Sequence, residues 1–98
     1  MSNTTFLLGH IYSIEDISDG IEVILKVPRI SEENPIYDYI LVVMNKNISD
    51  IVKERCSKDD VIAVNGRLEC DLENSMRVIA EKITLLSGKE DEDDKKEE

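Results

Sequence analysis

The chain's 98 residues leave room for one compact core and none for a second domain. Hydrophobic residues make up 41% of it, yet no apolar run reaches the roughly 18 to 20 residues that span a bilayer, and residues 1–5 lack the features of a secretory signal, so a soluble, cytoplasmic protein with no membrane partner is expected. Lys and Arg number 12 against 22 Asp and Glu, a net charge of −10 that is unusual for a nucleic-acid binder.

The first predicted strand, residues 6–14, is apolar on both faces: Leu7, Gly9 and Ile11 share one side, Phe6, Leu8, Tyr12 and Ile14 the other. Such a strand must be covered twice, and Gly9 in its middle predicts a bend or bulge of the kind that curls a sheet into a barrel. In residues 21–27 the odd positions Ile21, Val23, Leu25 and Val27 are aliphatic while Glu22 and Lys26 fall on the other face. That is the period of a half-buried strand, which Pro28, having no amide hydrogen, is expected to end. Residues 29–35 read as a loop, and residues 37–44 as a third strand, again apolar on both faces.

The spacing then changes. Ile48, Ile51, Val52, Arg55 and Cys56 recur at helical intervals, predicting a short helix capped near Asn47 or Ser49. Two strands follow at residues 61–70 and 76–86, joined by a tight polar turn at 71–75. Residues 87–98 carry three lysines and seven acids, against nine basic and fifteen acidic residues in 1–86, so four of the excess negative charges belong to the tail and six to the body. With nothing apolar from residue 88 onward, a domain of residues 1–87 and a disordered acidic tail of residues 88–98 are expected.

Three strands, one helix and two strands is the order of the OB-fold, an all-β Greek-key barrel of five strands with a helix between the third and fourth. The residues narrow the likeness. Asp38-Tyr39-Ile40-Leu41-Val42-Val43-Met44, the helix, and then Lys58-Asp59-Asp60-Val61-Ile62-Ala63-Val64-Asn65-Gly66-Arg67-Leu68 resemble the heart of the bacterial single-stranded DNA-binding protein family. Phe6-Leu7-Leu8-Gly9-His10-Ile11 and Val78-Ile79-Ala80-Glu81-Lys82-Ile83 are similar to that family's first and last strands, so the resemblance covers residues 5–86. It implies a barrel that stacks unpaired bases on aromatic side chains, with Tyr39 matching the family's stacking aromatic, and that assembles as dimers or tetramers. The chain departs from the pattern at Asn45, where another aromatic is common, at Leu41, where a basic residue is common, and at Asp59, which replaces a glycine. The family's tail ends in an apolar hook that this sequence lacks, so no protein partner of the tail is carried over.

Each candidate has a plainer reading beside it. Tyr39 and Tyr37 are stacking platforms or rim residues; together with Leu41 and Val43 they make a stripe that suits a protein contact as well as a nucleic acid. Lys26, Arg29, Lys46, Arg67 and Arg77 line a phosphate track or are ordinary surface charges. Phe6, Leu8 and Tyr12 are assigned to an oligomer interface. His10 has no evident partner for metal or base chemistry, the pairs Glu15-Asp16, Glu32-Glu33 and Asp59-Asp60 fall at turns or loops, and Cys56 and Cys70 read as reduced, buried thiols. No cofactor, metal or catalytic activity is expected. The expected function is sequence-tolerant binding of single-stranded DNA, with RNA left open, in replication, recombination or a mobile element. The rival is a protein-interaction or oligomerising module that has lost nucleic-acid binding, and an oligosaccharide or small-anion binder is a third reading.

Overall fold

The computed structural model describes residues 1–29 and 34–87; most of the predicted loop, at 30–33, and the tail from 88 onward lie outside the described residues. The elements are β1 (Thr5–Ile17), β2 (Gly20–Arg29), β3 (Ile36–Asn45), α1 (Lys46–Arg55), β4 (Val61–Cys70) and β5 (Met76–Leu85). The strands close into a barrel in the order β1-β2-β3-β5-β4, antiparallel throughout except for β3 beside β5. This is the OB-fold that the strand order and motifs predict.

β1 makes closure possible by serving two ladders. From Thr5 to His10 it pairs with β4, and from His10 to Ile17 with β2. The expected irregularity is present, displaced from Gly9: the register slips between Ile11 and Ser13, leaving Tyr12 as the extra residue, while Gly9 pairs regularly with Ile62. Gly9 has a different duty, because a Cβ there would run into the backbone carbonyl of Lys26 where β2 crosses. The bulge also corrects the predicted faces. Ile14, grouped by alternation with Phe6 and Leu8, turns inward and packs against the core.

β2 keeps its predicted alternation, with Ile21, Val23 and Leu25 fully buried. Pro28 does not end the strand; it stands opposite Tyr37, beyond the last β1 rung at Lys26, where β2 pairs only with β3 and can spare an amide. β3 is covered once and not twice: Val42 and Met44 are buried, Leu41 and Val43 half-buried, and Tyr37 and Tyr39 exposed.

The helix is capped two residues before the first of the predicted caps, Asn47, and four before the second, Ser49. Asn45 is its cap, its side-chain oxygen accepting from the Ile48 amide at 3.0 Å. Ser49 is instead a buried anchor, its hydroxyl 2.6 Å from the Asn45 carbonyl and 3.1 Å from that of Met44. The inward face is therefore Ser49, Val52 and Cys56 with Ile48 beside them, while Ile51 faces outward. In the turn between β4 and β5, Asp71 accepts from the amides of Glu73 and Ser75, at 2.9 and 3.0 Å, and Asn74 takes the left-handed conformation with φ 68°. Two further expectations are corrected: Cys56 is buried but Cys70 is exposed, and Glu15-Asp16 lies within β1, where Asp16 pairs with Lys53 at 2.8 Å. Among the described residues no helix is long and apolar enough to cross a membrane.

Loss of the helix cap in Asn45→Ala is expected to lower stability by about 1 kcal/mol. Gly9→Ala, which forces β1 and β2 apart at their crossing, is expected to cost about 1–3 kcal/mol. Urea denaturation checks both, as a lower midpoint with an unchanged m value.

Candidate nucleic-acid interface

The outward faces of β2 and β3 are built from neighbouring rungs. Lys26 stands opposite Tyr39, Pro28 opposite Tyr37, and Ile24 opposite Leu41. Side chains of one face alternate along each strand, so Tyr37, Tyr39 and Leu41 project together, with Lys26 among them. The Lys26 ammonium lies 4.3 Å from the centre of the Tyr37 ring. Tyr39, 54% exposed, meets the Tyr12 ring edge to face, with centroids 5.0 Å apart and planes at 76°. The Lys58 ammonium in turn lies 5.4 Å from the centre of Tyr12.

All three tyrosines of the chain thus stand in one strip with two lysines, in the order Tyr37, Lys26, Tyr39, Tyr12, Lys58. Neither lysine has an ion-pair partner among the described residues. Contacts of this kind are worth about 0.5–1 kcal/mol each at exposed sites, enough to bias the side chains into a common orientation and too little to lock them. Sequence alternation placed Tyr12 with Phe6 and Leu8; the bulge sets its ring against Tyr39. Lys58, which in the sequence only opens the run into β4, reaches the strip through closure of the barrel.

The other predicted cations are held by carboxylates. Arg29 donates to one oxygen of Asp38 from Nε at 2.9 Å and Nη2 at 2.8 Å. Lys46, at the far end of β3 from Tyr37, pairs with Asp50 at 3.7 Å one helical turn along and is not part of the strip. Arg67 meets Glu69 at 2.7 Å and Glu81 at 3.5 Å, and Arg77 meets Glu69 at 3.2 Å.

Arg77 nonetheless lines a groove together with Tyr39. β3 and β5 share only the rungs Val42–Val78 and Val43–Ile79, and ahead of them the strands part. The space between, about 360 Å3, is walled by Tyr39, Leu41, Leu68, Met76 and Arg77, with Leu7, Ile40 and Val78 beneath. It joins a second hollow of about 670 Å3 that adds Glu69, Cys70 and Asp71. Phe6 and Leu8, 62% and 48% exposed, lie elsewhere, on the outer face of the β1–β4 ladder opposite Asn65 and Ala63.

No protein-family model and no curated protein matches the sequence. Solved structures do match the fold. The dimeric N-terminal domain of PriB from Thermoanaerobacter tencongensis is 21% identical, with a TM-score of 0.70 over 87% of this chain and 97% of that one. A small single-stranded DNA-binding protein from Mycoplasma pneumoniae is 23% identical, with a TM-score of 0.68 over 91% and 99%. Rim1, the mitochondrial single-stranded DNA-binding protein of Saccharomyces cerevisiae (S. cerevisiae), is 11% identical, with a TM-score of 0.73 over 89% and 96%. At these identities what is shared is the OB-fold, over nearly the whole length of each of those chains.

The ion pairs make a direct prediction about titration. Hydrogen bonds donated by Arg29 hold the Asp38 carboxyl below the ordinary aspartate range, and those from Arg67 and then Arg77 do the same for Glu69. A carboxylate whose folded pKa is depressed adds stability that is complete above its unfolded pKa and is lost as pH falls through the folded one. These pairs are solvent-exposed, so that contribution is small, and the shift itself is the better observable. In a carbon-detected NMR titration Asp38 should lose its proton at lower pH than an ordinary aspartate, and Arg29→Gln should return it to the usual range.

Proposed function

We propose that this protein binds single-stranded DNA with little sequence preference, stacking bases on Tyr39 and Tyr37 with Tyr12 alongside, while Lys26 and Lys58 approach the backbone. The observation that carries this reading is the strip itself: exposed rings on one barrel face, flanked by two lysines that have no ion-pair partner among the described residues. Every base has a π-face, so such a strip accepts any sequence. The single-stranded DNA-binding proteins that share the fold support the reading. A binder of this kind serves replication or recombination, or travels on a mobile element, wherever strands stand unpaired, and it has no need of catalysis.

Arg77, across the groove from Tyr39, and Arg67, which shares its Glu69 partner, are reserves engaged by acids in the free protein. Self-association belongs to the same proposal. Phe6 and Leu8 leave apolar surface on β1, and pairing it with a second copy across a two-fold axis covers it, giving a dimer or a tetramer built of dimers. The groove of Leu41, Leu68 and Met76 favours the rival reading, a protein-interaction module on the same barrel.

Fluorescence anisotropy with labelled oligothymidine separates the two. Tyr39→Ala should weaken binding by roughly fivefold to a hundredfold, the equivalent of about 1–3 kcal/mol per stacked base, with assembly unchanged. Loss of partner capture or oligomer size with oligonucleotide binding intact would instead establish the interaction module. Oligouridine titrated in parallel measures any preference between DNA and RNA. Charging the β1 face with Phe6→Glu and Leu8→Glu should reduce the assembly, by light scattering behind a sizing column, to a monomer near 11.2 kDa.

A further inference from the structure

The outer face holds more positive charge than it displays, and one side chain accounts for most of the difference. Glu69 stands opposite Arg77 in the β4–β5 ladder and two residues beyond Arg67 on the same strand. Its two oxygens are divided between them: Oε2 accepts from Arg67 Nη1 at 2.7 Å, and Oε1 accepts from Arg77 Nη2 at 3.2 Å and Nε at 3.3 Å. The remaining edge of Arg67 faces Glu81 at 3.5 Å. Two guanidiniums and two carboxylates therefore sum to no net charge in a cluster that meets the groove at Arg77, which lines it together with Tyr39.

A guanidinium presents a planar fork of donors that fits a carboxylate and a phosphate equally well, so the two anions compete for the same edge. We propose that Glu69 is a specificity-determining residue of this surface: it occupies the phosphate-binding edges of Arg67 and Arg77 and so sets the affinity and salt response of single-strand binding. This rests on the reading of the tyrosine strip as a single-strand surface. The geometry suits exchange. Glu69 is 34% exposed and its arginine partners 46% and 50%, so an incoming phosphate reaches the pair from solvent without opening the core. In the free protein the lysines of the strip are the cations on offer, and the arginines join only where a phosphate displaces the carboxylate. The device makes the barrel reluctant toward polyanions in general and responsive to a strand that is already stacked on Tyr39.

The test uses full-length protein, labelled oligothymidine and salt from about 50 to 200 mM, the range over which backbone contacts are read. Glu69→Gln frees one or both arginines, so it should bind more tightly than the parent at the low-salt end. Its log–log salt slope should be steeper by about 0.7 to 1.4, which across that range is an additional loss of roughly three- to sevenfold. Glu69→Ala should give the same slope, and thermal melts would confirm that both variants fold. Glu73→Gln removes the same charge from the neighbouring turn, where the carboxylate touches no arginine among the described residues, and should keep the parental slope. Equal slopes for the parent and Glu69→Gln, with both binding, would overturn the role of Glu69 and leave the single-strand reading standing. No binding by the parent or by Glu69→Gln at the low-salt end would overturn both, whereas binding gained only on substitution of Glu69 would uphold its role as the competing anion.

Discussion

β1 must belong to two ladders at once, and the rest of the molecule follows from how it manages this. At His10 it has a partner on each side, Val61 in β4 and Lys26 in β2, and the barrel closes around that point. Backbones so close tolerate no side chain at Gly9, and the change of partner is relieved by one extra residue at Tyr12. That residue sends the Tyr12 ring to the outside beside Tyr39 and returns Ile14 to the core. A feature needed for closure thereby assembles the aromatic strip.

The opposite seam is as short as the first is crowded. Two parallel rungs join β3 to β5, and the parting of the strands ahead of them opens the groove between Tyr39 and the β4–β5 hairpin. Incomplete closure is inexpensive here, because Val42 and Val78 are buried at the rungs themselves and seal the core from the groove. The barrel can therefore present an apolar, partly open wall next to its exposed rings.

Charge is handled as economically as apolar surface. A chain with a net charge of −10 would repel a polyanion if its cations were scattered singly. Instead Arg29, Arg67 and Arg77 are each tied to a carboxylate, leaving Lys26 and Lys58 over tyrosine rings. The resulting surface relies on stacking first and on charge second, consistent with a composition in which acids outnumber bases.

Strand order, the position of the helix and the core of β2 were legible in the sequence because each is written in local periodicity: aliphatic residues at alternate places, one stretch at helical spacing, and polar turns between. The start of α1 was misplaced because Asn45, Asn47 and Ser49 are all competent caps, and only the burial of Ser49 against the end of β3 decides among them. Tyr37 and Tyr39 are legible together because one strand carries them, whereas Lys26 joins them through the β2–β3 register and Tyr12 and Lys58 through a bulge and a barrel closure, none of which leaves a local signature. Periodicity thus determined the inward side of β2 and the order of the elements along the chain. Which outward side chains touch was left to register, since a slip of a single residue reverses every face beyond it and its position depends on how two distant ladders meet.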